Sequence, residues 1–115
     1  MNSKLKDDHL DILFRAMLEL KTVDEFYQFF EDLCTVAEIK AMAQRFEVAL
    51  MLDEQRIYTD IEQQTGASSA TISRVNRSLN YGNDGYDMVF ARIAEKQAAE
   101  SDAQSDEAEE TPTEE

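Results

Sequence analysis

Residues Tyr58–Leu79 read YTDIEQQTGASSATISRVNRSL, and one glycine inside this otherwise helix-forming stretch decides how the chain is built. The residues up to Gln64 are expected to form a short helix, with Thr59 and Glu62 at capping-box spacing, where a hydroxyl and a carboxylate satisfy free amides at a helix start. Gly66 ends that helix, because glycine enters the left-handed conformation at little cost and so turns the chain sharply. Ser68 and Ser69 then offer hydroxyls as caps for a second helix. Ile61, Ala67, Ile72, Val75 and Leu79 are apolar around the bend, at the spacing that locks the two helices of a helix-turn-helix together. Glu62 departs from the pattern, standing where such units tend to have alanine at the crossing.

If Ile72, Val75 and Leu79 face inward, a rotation of about 100° per residue points Ala70, Ser73, Arg74 and Arg77 outward together. These four have the chemistry to read a groove of DNA. A serine hydroxyl both donates and accepts at base edges, an alanine methyl touches a thymine methyl, and each arginine pairs with guanine or phosphate. Ser68, Ser69 and Thr71 lie at the helix start, where free amides and the helix dipole favour a phosphate.

The charge distribution bears on this reading. The net charge is -14, yet nine acids and one lysine from Glu95 onward account for -8 of it. From Gln63 to Asn83 there is no acid, while Arg74 and Arg77 are present. The local sign is therefore positive where a polyanion would bind.

The flanking sequence is helical in period, and the expected fold class is all-α with about six helices. Leu10, Leu13, Phe14, Met17 and Leu18 mark one face of a helix over residues 7–20. Thr22 with Glu25 caps a second helix reaching Leu33, and Thr35 with Glu38 caps a third carrying Val36, Ile39, Ala43, Phe46 and Leu50. Phe26, Tyr27, Phe29 and Phe30 surround much of the second helix, more apolar surface than one stripe needs. A body of about 95 residues buries only about two-thirds of its unfolded surface, so a second copy is the expected cover and the chain is expected to be a homodimer, the alternative being a compact monomer with the second helix wrapped inside. Asn83, Asp84 and Gly85 make a turn before a last helix with Tyr86, Val89, Phe90 and Ile93. Residues 1–100 are thus expected to be one DNA-binding domain. Residues 101–115, with no large apolar side chain, are expected to be a disordered acidic tail.

Other function classes find little support. Cys34 is the only cysteine and His9 the only histidine, so neither a disulfide, a clustered metal site nor a nucleophile constellation is expected. Cys34 is expected to be a small buried side chain and His9 a surface residue. No apolar run approaches the ~20 residues of a membrane span, and no signal peptide is apparent, so a cytoplasmic, non-enzymatic protein is expected.

DLCTVAEIKAMAQRFEVALML (residues 32–52) followed by TGASSATISRVNRSL (65–79) resembles the Trp repressor superfamily, within it the YerC/YecD-type branch, and YGNDGY (81–86) is similar to that branch too. The sharpest part is SSATISR, residues 68–74. The resemblance implies an intertwined all-helical homodimer whose two reading heads enter successive major grooves of a two-fold symmetric operator. It places base contacts at Ser69, Ala70 and Ser73. It also implies that Thr59 and Glu62 replace basic residues that family members can carry on the first helix of the motif. Arg45 and Arg74 look similar to the two arginines that sandwich tryptophan in the Trp repressor proper, which makes them a candidate effector pocket. Where the repressor has a glycine after the second arginine, this chain has Val75, whose branched side chain is expected to crowd an indole, so tryptophan is not the expected corepressor and no cofactor is expected. No other effector can be named from the sequence.

The leading expectation is a DNA-binding transcriptional regulator that represses by occupying its operator. The alternative is a protein-interaction module that docks its helix-turn-helix on another regulator. Loss of Arg74 and Arg77 would abolish the first activity and spare the second.

Overall fold

The computed structural model describes residues 5–110, with side chains through residue 104. It contains α1 (Asp8–Met17), α2 (Val23–Leu33), α3 (Val36–Asp53), α4 (Tyr58–Thr65), α5 (Ser69–Tyr81) and α6 (Gly85–Glu110), and no strand among the described residues. The all-α expectation holds.

Local chemistry explains most of the helix ends. The Asp7 carboxylate accepts from the Leu10 amide at 2.8 Å and starts α1. Thr22 accepts from the Glu25 amide at 3.1 Å, while the Glu25 carboxylate accepts from the Lys21 amide at 2.8 Å. At α3 the box is complete, because Thr35 accepts from Glu38 N–H at 3.1 Å and Glu38 accepts from Thr35 N–H at 2.8 Å. The Thr35 backbone bond, and then its side-chain bond, hold the Glu38 carboxyl below its ordinary pKa. The far end of α3 closes with Gln55 left-handed at φ 62°. Arg56 N–H there donates to Met51 C=O at 3.1 Å and Gln55 N–H to Leu52 C=O at 2.9 Å, the paired bonds that satisfy the last carbonyls of a helix.

Two expectations fail. The Thr59–Glu62 capping box does not form: α4 begins at Tyr58, its N-cap is Ile57, and no side chain caps it. Starting there keeps the bond from Ile61 N–H to Ile57 C=O, 3.2 Å, in the turn that carries the buried Ile61, so packing sets this end instead of capping. The second concerns the tail. α6 continues through residues 101–110, and residues 111–115 lie outside the described residues. Alanine, glutamate and glutamine favour helix, and extending an existing helix needs no new nucleus, so lack of burial does not by itself break it.

The chain divides into two compact units, Met1–Ala43 and Gln44–Glu115, with the boundary inside α3. In the second, Val48, Ala49 and Met51 of α3, Ile61 of α4, Ala67 of the bend, and Ile72 and Val75 of α5 form a closed core. Tyr86 and Phe90 of α6 pack against it, with ring centres 5.9 Å apart in a tilted pair, and Phe46 lies 6.3 Å from Tyr86, also tilted, and 5.7 Å from Phe90, edge to face. The first unit is different in kind. No described residue in it is buried, and Leu18, Val23, Ile12 and Val36 are 82, 72, 66 and 66 % exposed. Phe26, Tyr27, Phe30, Val23, Val36 and Ile39 line a groove of about 480 Å³ with Glu31 and Lys40 at its edge. Cys34, expected to be buried, is only half-buried at the end of α2. The expectation of one domain over residues 1–100 did not anticipate this division.

Candidate nucleic-acid interface

α4 and α5 meet at a bend that is built as glycine chemistry demands. Gly66 is left-handed, φ 72° and ψ 5°, and its N–H donates to Glu62 C=O at 2.9 Å. A Cβ on Gly66 would meet nothing within 4 Å, so backbone conformation alone selects glycine there. Ala67 is buried directly after it and anchors the turn to the core.

A polar brace holds the same bend against α3. The Gln44 amide donates to Thr65 C=O at 3.1 Å, the Thr65 hydroxyl donates to Ile61 C=O at 2.6 Å, and Ala67 N–H donates to the Thr65 hydroxyl at 3.1 Å. Sequence reasoning missed Gln44 and Thr65. The available signal was a threonine immediately before the glycine bend, a residue able to bond backbone locally on both sides.

α5 presents the expected faces. Ile72 and Val75 are buried and Leu79 is half-buried, while Ser68, Ser69, Ala70, Ser73, Arg74 and Arg77 are all exposed. Ser68 is the N-cap: its hydroxyl oxygen accepts from Thr71 N–H at 3.2 Å, and its hydroxyl lies 3.1 Å from that of Thr71. Thr71 is half-buried and committed to this cap, so it is less accessible than its neighbours. The ion pairs among the described residues are Lys6–Asp11 and Arg56–Glu54, so both α5 arginines keep their charge unpaired. Both acids of α4, Asp60 and Glu62, are exposed, leaving that helix without positive charge.

The helix ends at Gly82, where a Cβ would come within 2.3 Å of Ser78 C=O, a backbone atom that cannot step aside. Beside this end Phe46, Ser78, Gly82, Asn83, Gly85, Tyr86 and Val89 line a shallow hollow of about 430 Å³. Arg45 and Arg74, the candidate effector pair, are both exposed and are not part of that lining. Val75 is 2 % exposed and forms part of the core. Among the described residues no group of three metal-ligating side chains occurs, and no helix is long and apolar enough to cross a membrane.

Residues 8–94, which include the helix pair crossed at the glycine bend, match the family model of the Trp repressor protein. The chain belongs to the Trp repressor family. YerC, an uncharacterized protein of Bacillus subtilis strain 168, is 54% identical over 98 residues, covering 85% of this chain and 94% of its own. The crystal structure of a TrpR-like protein from Eubacterium eligens superposes with a TM-score of 0.78 at 63% identity, covering 81% of this chain and 96% of the other. A candidate Trp repressor from Staphylococcus aureus superposes with a TM-score of 0.76 at 53% identity, covering 79% and 91%. The Trp repressor family consists of regulatory DNA-binding proteins, and the helix-turn-helix seen here is the element such a role requires.

Proposed function

We propose that this Trp repressor family member is a sequence-specific transcriptional regulator that binds duplex DNA as a homodimer and represses by occupying a two-fold symmetric operator. The observation that carries the reading is the outer face of α5. It exposes Ser69, Ala70, Ser73, Arg74 and Arg77 on a helix without acid, in a chain of net charge -14. In this reading Ser69, Ala70 and Ser73 meet base edges, Ser68 and the first amides of α5 hold a phosphate, and Arg74 and Arg77 reach guanine or phosphate. Acid elsewhere on the chain repels bulk DNA, so affinity depends on this face and salt dependence is shallow.

Dimerisation is supported by the first unit, in which no described residue is buried and large apolar side chains such as Leu18, Val23, Ile12 and Val36 are mostly exposed. A second copy would bury them, and it would also set the spacing between two α5 helices.

Tryptophan is not the corepressor in this account. In this reading Val75, a branched core side chain, stands where the Trp repressor proper has the glycine that gives the indole room, and so disfavours an indole beside Arg74. Calorimetry should detect no tight tryptophan binding; a strong saturable heat would contradict this.

Replacing Arg74 and Arg77 together with alanine tests the main reading. A dimer loses four arginines, each worth about 1–3 kcal/mol, so operator affinity should fall at least about a thousandfold while folding and dimerisation persist. Unchanged DNA binding by this variant would overturn the proposal and favour a protein-docking role.

A further inference from the structure

Resting on the DNA-binding reading of α5, we propose that Tyr81, through its ring and hydroxyl, is a further, uncharged contact to the sugar-phosphate backbone at the edge of the groove that α5 enters. Tyr81 is the last residue of α5 and is 87 % exposed, the most exposed large apolar side chain among the described residues. A lone exposed aromatic is ordinary on a protein surface; what sets this one apart is its register. It follows Ala70 by eleven residues, Arg74 by seven and Arg77 by four, so at about 100° per residue it falls within about 40° of all three. The outward face of α5 therefore continues to the helix end as one stripe.

One neighbouring polar side chain at this end, that of Asn80, is already committed. The Asn80 amide donates to both the backbone and the side-chain oxygen of Asn76, each at 3.0 Å. Ser78 and Gly82 line the hollow beside Phe46. The Tyr81 hydroxyl has no partner among the described residues, which leaves a donor at the tip of a rigid side chain.

Position along the helix selects backbone over base. A rise of about 1.5 Å per residue puts Tyr81 about 16 Å beyond Ala70, more than the ~12 Å width of the major groove. With Ala70 at the base edges and α5 lying across the groove, Tyr81 falls at or past the groove wall. There its ring packs on deoxyribose and its hydroxyl donates to a phosphate oxygen, a contact that tyrosine makes without displacing a counterion.

That last property supplies the test. Wild type, Tyr81→Phe, Tyr81→Ala and Arg77→Ala would be titrated, as full chains, against a selected operator and a scrambled duplex across a range of salt concentrations. Dimerisation would be measured in parallel by sedimentation. Tyr81→Phe should weaken both duplexes about three- to tenfold, and Tyr81→Ala more, with no change in the log–log salt slope, whereas Arg77→Ala should make the slope shallower. Wild-type affinity in both tyrosine variants would overturn the proposal, as would a loss explained by weaker dimerisation. If wild type itself favours no duplex, the DNA reading fails as well; if it binds and Tyr81→Ala binds equally, only the inference about Tyr81 falls.

Discussion

The two halves of this chain solve the burial problem differently. Residues from Gln44 onward close a core around Val48, Ile61 and Ile72, all fully buried, and that core fixes the helix that faces solvent with its arginines. Residues up to Ala43 have well-capped helices and abundant apolar side chains, yet among the described residues none is fully buried. Helix-forming tendency and capping thus suffice to specify helices, while a core requires facing surfaces. The second unit supplies its own, and in the proposed dimer the first would find them on a second copy.

The largest effect that would sharpen this contrast is expected in the self-sufficient unit. Ile72→Ala removes a fully buried side chain from the inner face of α5 and should cost about 2–5 kcal/mol by denaturant unfolding. DNA binding should fall with it, because the angle of α5 depends on that packing.

Leu18→Asp tests the other half. At 82 % exposure, a residue facing only water would tolerate the change within about 0.5 kcal/mol. Covered by a second copy, the same carboxylate is desolvated, and the loss should exceed about 2 kcal/mol per subunit, with a Tm that depends on protein concentration. A small, concentration-independent effect would break the contrast drawn here.

Gly66→Ala should have the smallest effect. The new methyl meets no atom, so the cost is confined to placing a non-glycine residue at φ 72°, about 1–2 kcal/mol in thermal or denaturant unfolding. A much larger loss would mean that the bend carries strain beyond its backbone conformation.

How much of this was legible in the sequence follows from which forces act locally. The glycine bend, the Ser68 cap and the inward set Ile61, Ala67, Ile72 and Val75 were readable, because each follows from one residue's conformational preference or from helical period. So were the caps at Thr22 and Thr35. The same pattern misled at Thr59, where tertiary packing of Ile61 outweighs a capping preference worth about 1 kcal/mol. Composition misled at residues 101–110, since it registers missing burial but not the ease of extending a helix already formed. The Gln44–Thr65 brace joins residues 21 positions apart, a pairing no local pattern contains. The division of the chain within α3 was likewise invisible, because helical period runs through Ala43 and Gln44 without interruption.

Selection of bound sequences from random duplex DNA by the purified full-length protein tests the central claim most directly. The account predicts a palindromic consensus whose half-site centres lie about 34 Å apart, roughly ten base pairs, as two α5 helices in successive major grooves require. Recovery of no enriched sequence, by a protein that sediments as a monomer, would contradict it.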